Sequence, residues 1–149
     1  MATIQLPPDL KEFLRLPNAN GGEYLVGGGY AVGLHGFPTV PDGLDIWIAA
    51  TPENARKLER VLVEFGFNPP GLSCDLFLEK DRIIRMGVPP IRIELPTFIS
   101  GVVFQDCYPS RRRSEVDGLR VDCIGLEPLT INKRAAGRHQ DLSDLDRLP

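Results

Sequence analysis

The chain has 149 residues, of which 42% are apolar and 25% charged, with a formal net charge of −3. That balance fits one globular domain over residues 1–149 with a real core, and it offers no global field to draw nucleic acid or an anionic membrane. Cys74, Cys107 and Cys123 are odd in number and form no Cys-x-x-Cys pair, which argues against a disulfide framework and against a zinc site.

The opening "MATIQLPPDLKEF" has no basic segment followed by an apolar one, and no later apolar run is long enough to span a bilayer. A reduced, cytoplasmic protein with no membrane partner is expected. Asp9 is placed to cap a short helix in which Leu10, Phe13 and Leu14 share a face, with Pro17 beyond its end and "NANGGE" as a turn. "EYLVGGGYAVGLHG" predicts a strand from Tyr24 to Val26 that enters a helix through Gly27, Gly28 and Gly29 and stops at Gly36. His35 then sits at a helix end, where a local hydrogen bond is its expected role.

In "GLDIWI", Leu44, Ile46 and Ile48 point one way, while Gly43, Asp45 and Trp47 point the other. The clearest helix follows: Thr51 as N-cap, Pro52 in first position, Glu53 complementing the dipole, and Ala55, Leu58, Val61, Leu62 and Phe65 as its apolar stripe before Gly66. Residues 74–101 read as short extended segments broken at Pro89-Pro90, with Ile91, Ile93 and Leu95 opposite Arg92 and Glu94. "SRRRSEV" is a dense basic cluster in a turn-like segment, either solvated or in contact with phosphate or RNA. Asp117-Gly118 marks a hairpin between two short strands. The tail predicts a helix up to Gly137 and a second one capped by Asp141, with Asp144 and Asp146 on its surface. The order of elements gives an α/β (α+β) domain.

Two features carry chemistry. The glycine-rich strand-to-helix turn matches neither the dinucleotide fingerprint nor the Walker pattern, yet bare backbone at a helix start can hold a phosphate. Asp45 and Glu94 each interrupt the polar face of an apolar strand. Acids on neighbouring strands, roughly 5 Å apart, can share one Mg²⁺; the alternative is that each pairs with an arginine, Arg92 being an obvious candidate, or faces water.

Taken together, "YLVGGGYAVGLHGFP", "LDIWIAATPENARKLERVLVEFGF", "IELPTFISGV" and "LEPLTINKRAAGRHQDLSDLDRL" resemble the small bacterial and archaeal nucleotidyltransferases of the polymerase-beta-like superfamily. That group includes the minimal nucleotidyltransferases and the nucleotidyltransferase partners of toxin–antitoxin pairs. The resemblance runs from Tyr24 to Leu148 and implies a small mixed sheet flanked by helices. It also implies a nucleoside triphosphate substrate, Mg²⁺ or Mn²⁺ as cofactor, and transfer of a nucleoside monophosphate to a hydroxyl on a protein, RNA or small molecule.

By that resemblance, Gly28 and Gly29 match the phosphate turn, Asp45 the second acid of an Asp-x-Asp pair, and Glu94 the third acid. Asp45 and Glu94 are then metal ligands. Gly43 falls at the first acid, so Asp42 has to stand in for the missing ligand. It lies three residues from Asp45 and reaches the same face only if the Pro41-Asp42-Gly43 turn twists it back. Thr39 and Pro41 stand where the family commonly has a basic residue and a threonine. Lys133 and Arg138 are expected to help hold the triphosphate, or else to form a solvated helix face. A second function stays open: a weak or inactive binding protein of the same fold, acting as the antitoxin-like or regulatory partner of a toxin-like protein.

Overall fold

The computed structural model describes residues 6–36, 41–89 and 91–149. Thr39 and Pro90, named above, lie outside the described residues. Helix α1 (Pro8–Asn20) leads into strand β1 (Tyr24–Gly27), helix α2 (Gly28–Leu34), strand β2 (Gly43–Ile48) and helix α3 (Pro52–Phe65). A 3-10 turn at Cys74–Leu78 precedes β3 (Ile83–Met86) and β4 (Arg92–Pro96); then come a single turn, α4 (Phe104–Cys107), the hairpin β5 (Arg112–Val116) and β6 (Leu119–Cys123), and helices α5 (Leu126–Ala136) and α6 (His139–Arg147). The strands form one mixed sheet in the order β3-β4-β2-β1-β6-β5. The mixed α/β architecture matches the expectation from sequence.

The period-2 pattern decides which side of the sheet each residue serves. Tyr24 and Val26 of β1 and Leu44, Ile46 and Ile48 of β2 pack with Leu10, Phe13 and Leu14 of α1 and Leu58 and Leu62 of α3. Leu25 and Trp47 take the opposite face, with Ala31 and Val32 of α2, Phe104 of α4 and Leu129 of α5. Asp45 has the parity of Trp47, so it faces the second side.

Local chemistry explains the element ends. The Thr51 side chain accepts a hydrogen bond from Asn54 N, Pro52 opens α3, and Gly66 closes it with left-handed backbone. Asn54 is buried where its sequence gave no signal. It accepts from Glu23 N and donates to Glu23 O and Ala49 O, tying the start of β1 and the end of β2 to α3. In the β5–β6 hairpin, Asp117 and Gly118 have φ of 52° and 79°, the two left-handed positions a tight type I′ turn requires.

Several boundaries differ from expectation. Helix α1 starts after Pro7, with Pro8 in its first turn, and runs through Pro17 to Asn20. Pro17 ends nothing because the last turn closes instead through Gly22 N, which donates to Pro17 O, and Gly21 in the left-handed region. Helix α6 is capped by Arg138, and Asp141 occupies its third position, accepting from Arg138 N. Asp141 and Asp144 are buried, not surface residues. Among the described residues no helix is long and apolar enough to cross a membrane.

Candidate active site

One broad cleft, of about 1320 Å³, opens on the second face of the sheet. Its floor comes from the β1–α2 turn and from β2, β4 and β3; its far wall comes from α5 and α6. Gly28, Gly29, Asp42, Asp45, Glu94, Lys133 and Arg138 all line it. These seven positions therefore reach the same cleft, although they span more than a hundred positions of chain.

The two strand acids meet by register. Strands β2 and β4 run parallel, and Asp45 is the direct partner of Glu94. Asp45 is also the direct partner of Gly27 on the antiparallel side, at the mouth of the glycine turn. A Cβ on Gly28, whose φ is +59°, would lie 2.0 Å from Asp45 Oδ2; a Cβ on Gly29 would lie 2.8 Å from the Pro41 side chain. These glycines are thus required by close packing of the turn on the carboxylate and on the residues before β2. Burial pushes the Asp45 carboxyl up to about 6, helped by the nearby Glu94 charge and opposed by Lys133, Arg92 and Arg138.

Gly43, at the place of the first acid, has a different reason to be glycine. A Cβ there would lie 2.3 Å from the backbone oxygen of Arg92. Strand β2 begins so close to β4 that position 43 has no room for any side chain, and its Cβ direction points at backbone rather than into the cleft. Asp42, just before the strand, is exposed and lines the cleft. It does not complete a set: among the described residues no group of three or more His, Cys, Asp or Glu is placed to hold a metal ion. The donor set that is present, two carboxylates on paired strand positions, would offer only oxygen donors to a hard divalent cation.

Glu94 is half-buried and paired with two arginines. Arg85 Nε of β3 donates to its Oε2 at 2.8 Å, and Arg92 Nε lies 3.3 Å from its Oε1. The pairing with Arg92 was legible in the alternation of "IRIEL"; Arg85 was not, because its approach depends on the antiparallel pairing of β3 with β4, where it sits opposite Glu94. On the far wall, Lys133 is 4% exposed and its Nζ lies 3.3 Å from Asp141 Oδ1 and 3.0 Å from Asp144 Oδ2. It is a buried ion bridge between α5 and α6, not part of a solvated helix face. Arg138 is exposed and its Nε donates to Asp141 Oδ2 at 2.7 Å. Burial would raise the Asp141 carboxyl, but the Arg138 hydrogen bond and the Lys133 charge hold it below its ordinary value.

Two other sequence candidates lie elsewhere. His35 is buried; its Nε2 donates to Ile124 O at 2.8 Å, and its Nδ1 accepts from an Arg112 guanidinium nitrogen at 3.2 Å. Its partners are distant in sequence rather than local. The arginines of "SRRRSEV" are engaged from within: Arg111 and Arg113 pair with the buried Asp122, and Arg112 with His35. The segment is the strand β5 rather than a turn, and Arg112 and Arg113 stay exposed.

No family model matches the chain, and no curated protein matches it. Among solved structures, it is similar to an antigenic nucleotidyltransferase-like protein from Paracoccidioides brasiliensis at 17% identity and a TM-score of 0.53, over 93% of this chain and 72% of that one. At that identity the likeness establishes the fold, which is nucleotidyltransferase-like.

Proposed function

We propose that this chain is a metal-dependent nucleotidyltransferase that moves a nucleoside monophosphate from a nucleoside triphosphate to a hydroxyl on a protein, RNA or small molecule. The observation that carries the reading is the Asp45–Glu94 register partnership at the floor of the cleft, beside the glycine turn. In this reading the acceptor hydroxyl oxygen bonds to the α-phosphorus, the bond to the departing pyrophosphate breaks, and the hydroxyl proton passes to water or to a cleft carboxylate. Asp45 and Glu94 would hold Mg²⁺ or Mn²⁺, which when bound neutralises charge on the phosphate oxygens.

The chain's own groups do the rest. Gly28 and Gly29 bring bare backbone to the phosphates. Asp42 supplies a further oxygen donor once the Pro41-Asp42 turn moves toward the two strand acids. Lys133 stiffens the α5–α6 wall, and Arg138 turns from Asp141 toward the triphosphate. A toxin-like protein partner or an RNA acceptor belongs to this proposal as the resemblance implies it.

A second reading, a nucleotide-binding protein of the same fold that turns over weakly or not at all and serves as an antitoxin-like or regulatory partner, rests on two observations. Position 43 has no space for the first acid, and Glu94 is held by two arginines. The test has two parts. Thermal melting with Mg²⁺ and each nucleoside triphosphate reads binding; a ligand at a hundred times its Kd adds about 2.7 kcal/mol to stability. Incubation with α-labelled triphosphates and candidate acceptors reads transfer. Binding with transfer supports the enzyme, binding without transfer supports the second reading, and no shift with any nucleotide removes both.

A further inference from the structure

Arg85 and Arg92 have more capacity than Glu94 can use. Each guanidinium carries five N–H donors and no acceptor. Glu94 offers a single carboxylate, one oxygen to each arginine. Arg92 Nε, although 3.3 Å from Glu94 Oε1, is buried without a hydrogen-bond partner, and the Arg85 side chain is 62% exposed. Both arginines line the cleft. Register fixes them around the acids: Arg85 lies opposite Glu94, Arg92 opposite Gly43, and Asp45 opposite Glu94. A polyphosphate presents more charge and more acceptor oxygens than one carboxylate, and pairs of its oxygens can take the two parallel N–H donors of a planar guanidinium fork.

We propose that Arg85 and Arg92 are the ligands of a polyphosphate anion, and that they hold Glu94 only until that anion arrives. The inference rests on the reading of the cleft as a triphosphate site and adds an order to it. The anion binds without a divalent cation. It draws the two guanidiniums off Glu94, which is then released to bind metal beside Asp45. In the ligand-free protein the arginines keep the acid pair closed to a divalent cation, and by linkage the metal and the anion bind cooperatively.

The experiment uses inorganic tripolyphosphate in the presence of EDTA, Mn²⁺ alone, and magnesium nucleoside triphosphates. Calorimetry is expected to show tripolyphosphate binding to the wild-type chain under EDTA, weakened at least about tenfold by Arg85→Gln and again by Arg92→Gln, the loss of a charge-assisted contact in each case. Mn²⁺ alone, followed by the paramagnetic resonance of the free ion, is expected to bind the Arg85→Gln/Arg92→Gln variant at least about tenfold more tightly than wild type. Unchanged melting of the variants by circular dichroism separates these effects from misfolding.

The inference is overturned if the variants bind tripolyphosphate like wild type, or if the double variant binds Mn²⁺ no more tightly. If wild type binds magnesium nucleoside triphosphates while either of those results holds, only the arginine assignment falls and the nucleotide reading stands. If wild type binds tripolyphosphate through the arginines but no nucleoside triphosphate, the anion site stands and the nucleotide reading falls. Binding of neither ligand removes both.

Discussion

Asp45 on β2 and Glu94 on β4 are direct partners across a parallel pair of strands, and both side chains belong to the same cleft. Strands so paired lie about 4.8 Å apart, so two carboxylates stand close together on a partly buried floor. The folded protein holds the Asp45 carboxyl at about 6, against an ordinary value of 3.8. The folded state thus binds this proton more tightly than the unfolded chain does, and the ionised carboxylate costs stability above about pH 6, by up to about 3 kcal/mol, but costs nothing below about pH 3.8. Asp45→Asn is expected to raise Tm at pH 7.5 in chelator, with the gain vanishing toward pH 4. Melting curves of the two proteins across that range check it.

Gly43 leaves 2.3 Å between a would-be Cβ and the Arg92 carbonyl oxygen. Gly43→Ala is expected to force β2 and β4 apart and to destabilise by about 1–3 kcal/mol, the usual cost of overpacking a tight site. Gly43→Asp meets the same clash. It is expected to lose stability without gaining Mn²⁺ affinity, which urea denaturation and a metal titration together measure.

Lys133 bridges two buried acids, Asp141 and Asp144, and Arg138 adds a second cation at Asp141. Lys133→Met removes the ammonium that pairs with Asp144 across the α5–α6 wall and leaves that buried carboxylate with a weaker set of partners. A loss of about 3–5 kcal/mol is expected, as for removing one partner of a buried ion pair. The double variant Lys133→Met/Asp144→Asn is expected to recover part of that loss. Denaturant midpoints of the single and double variants give the comparison.

His35 sits below its ordinary value of 6.5, first because burial disfavours its charged form and then because Arg112 lies beside it; its hydrogen bond to Ile124 O pulls the other way. The unfolded chain therefore takes up the proton before the folded one. Stability tied to neutral His35 is complete above about pH 6.5 and declines as the pH falls below it. His35→Gln is expected to flatten that part of the stability–pH curve between pH 7 and 5, as read by chemical denaturation at each pH.

Much of the fold was legible because it rests on local signals. Thr51-Pro52 and Gly66 bound α3 as their chemistry requires, and the Asp117-Gly118 pair makes its hairpin. The alternation of "GLDIWI" placed Asp45 on the face opposite Leu44 and Ile46. Pro17 misled because a proline in the last turn of a helix loses nothing once the following glycines supply the closing bonds. Asp141 misled because the cap position of α6 went to Arg138, and the acid turned inward to Lys133.

The sequence by itself determined which face of its strand each acid occupies, because side-chain direction follows the two-residue period of a strand wherever that strand lies. It also marked the glycine turn and both strands that meet at the cleft. Only the tertiary structure decided which residues stand next to those acids. The partnership of Asp45 with Glu94, the approach of Arg85 to Glu94, and the closeness of β2 to β4 at Gly43 all depend on how distant strands are ordered and registered. Register is settled by packing the whole sheet against its helices, a sum over both faces of the core that no single stretch of chain contains.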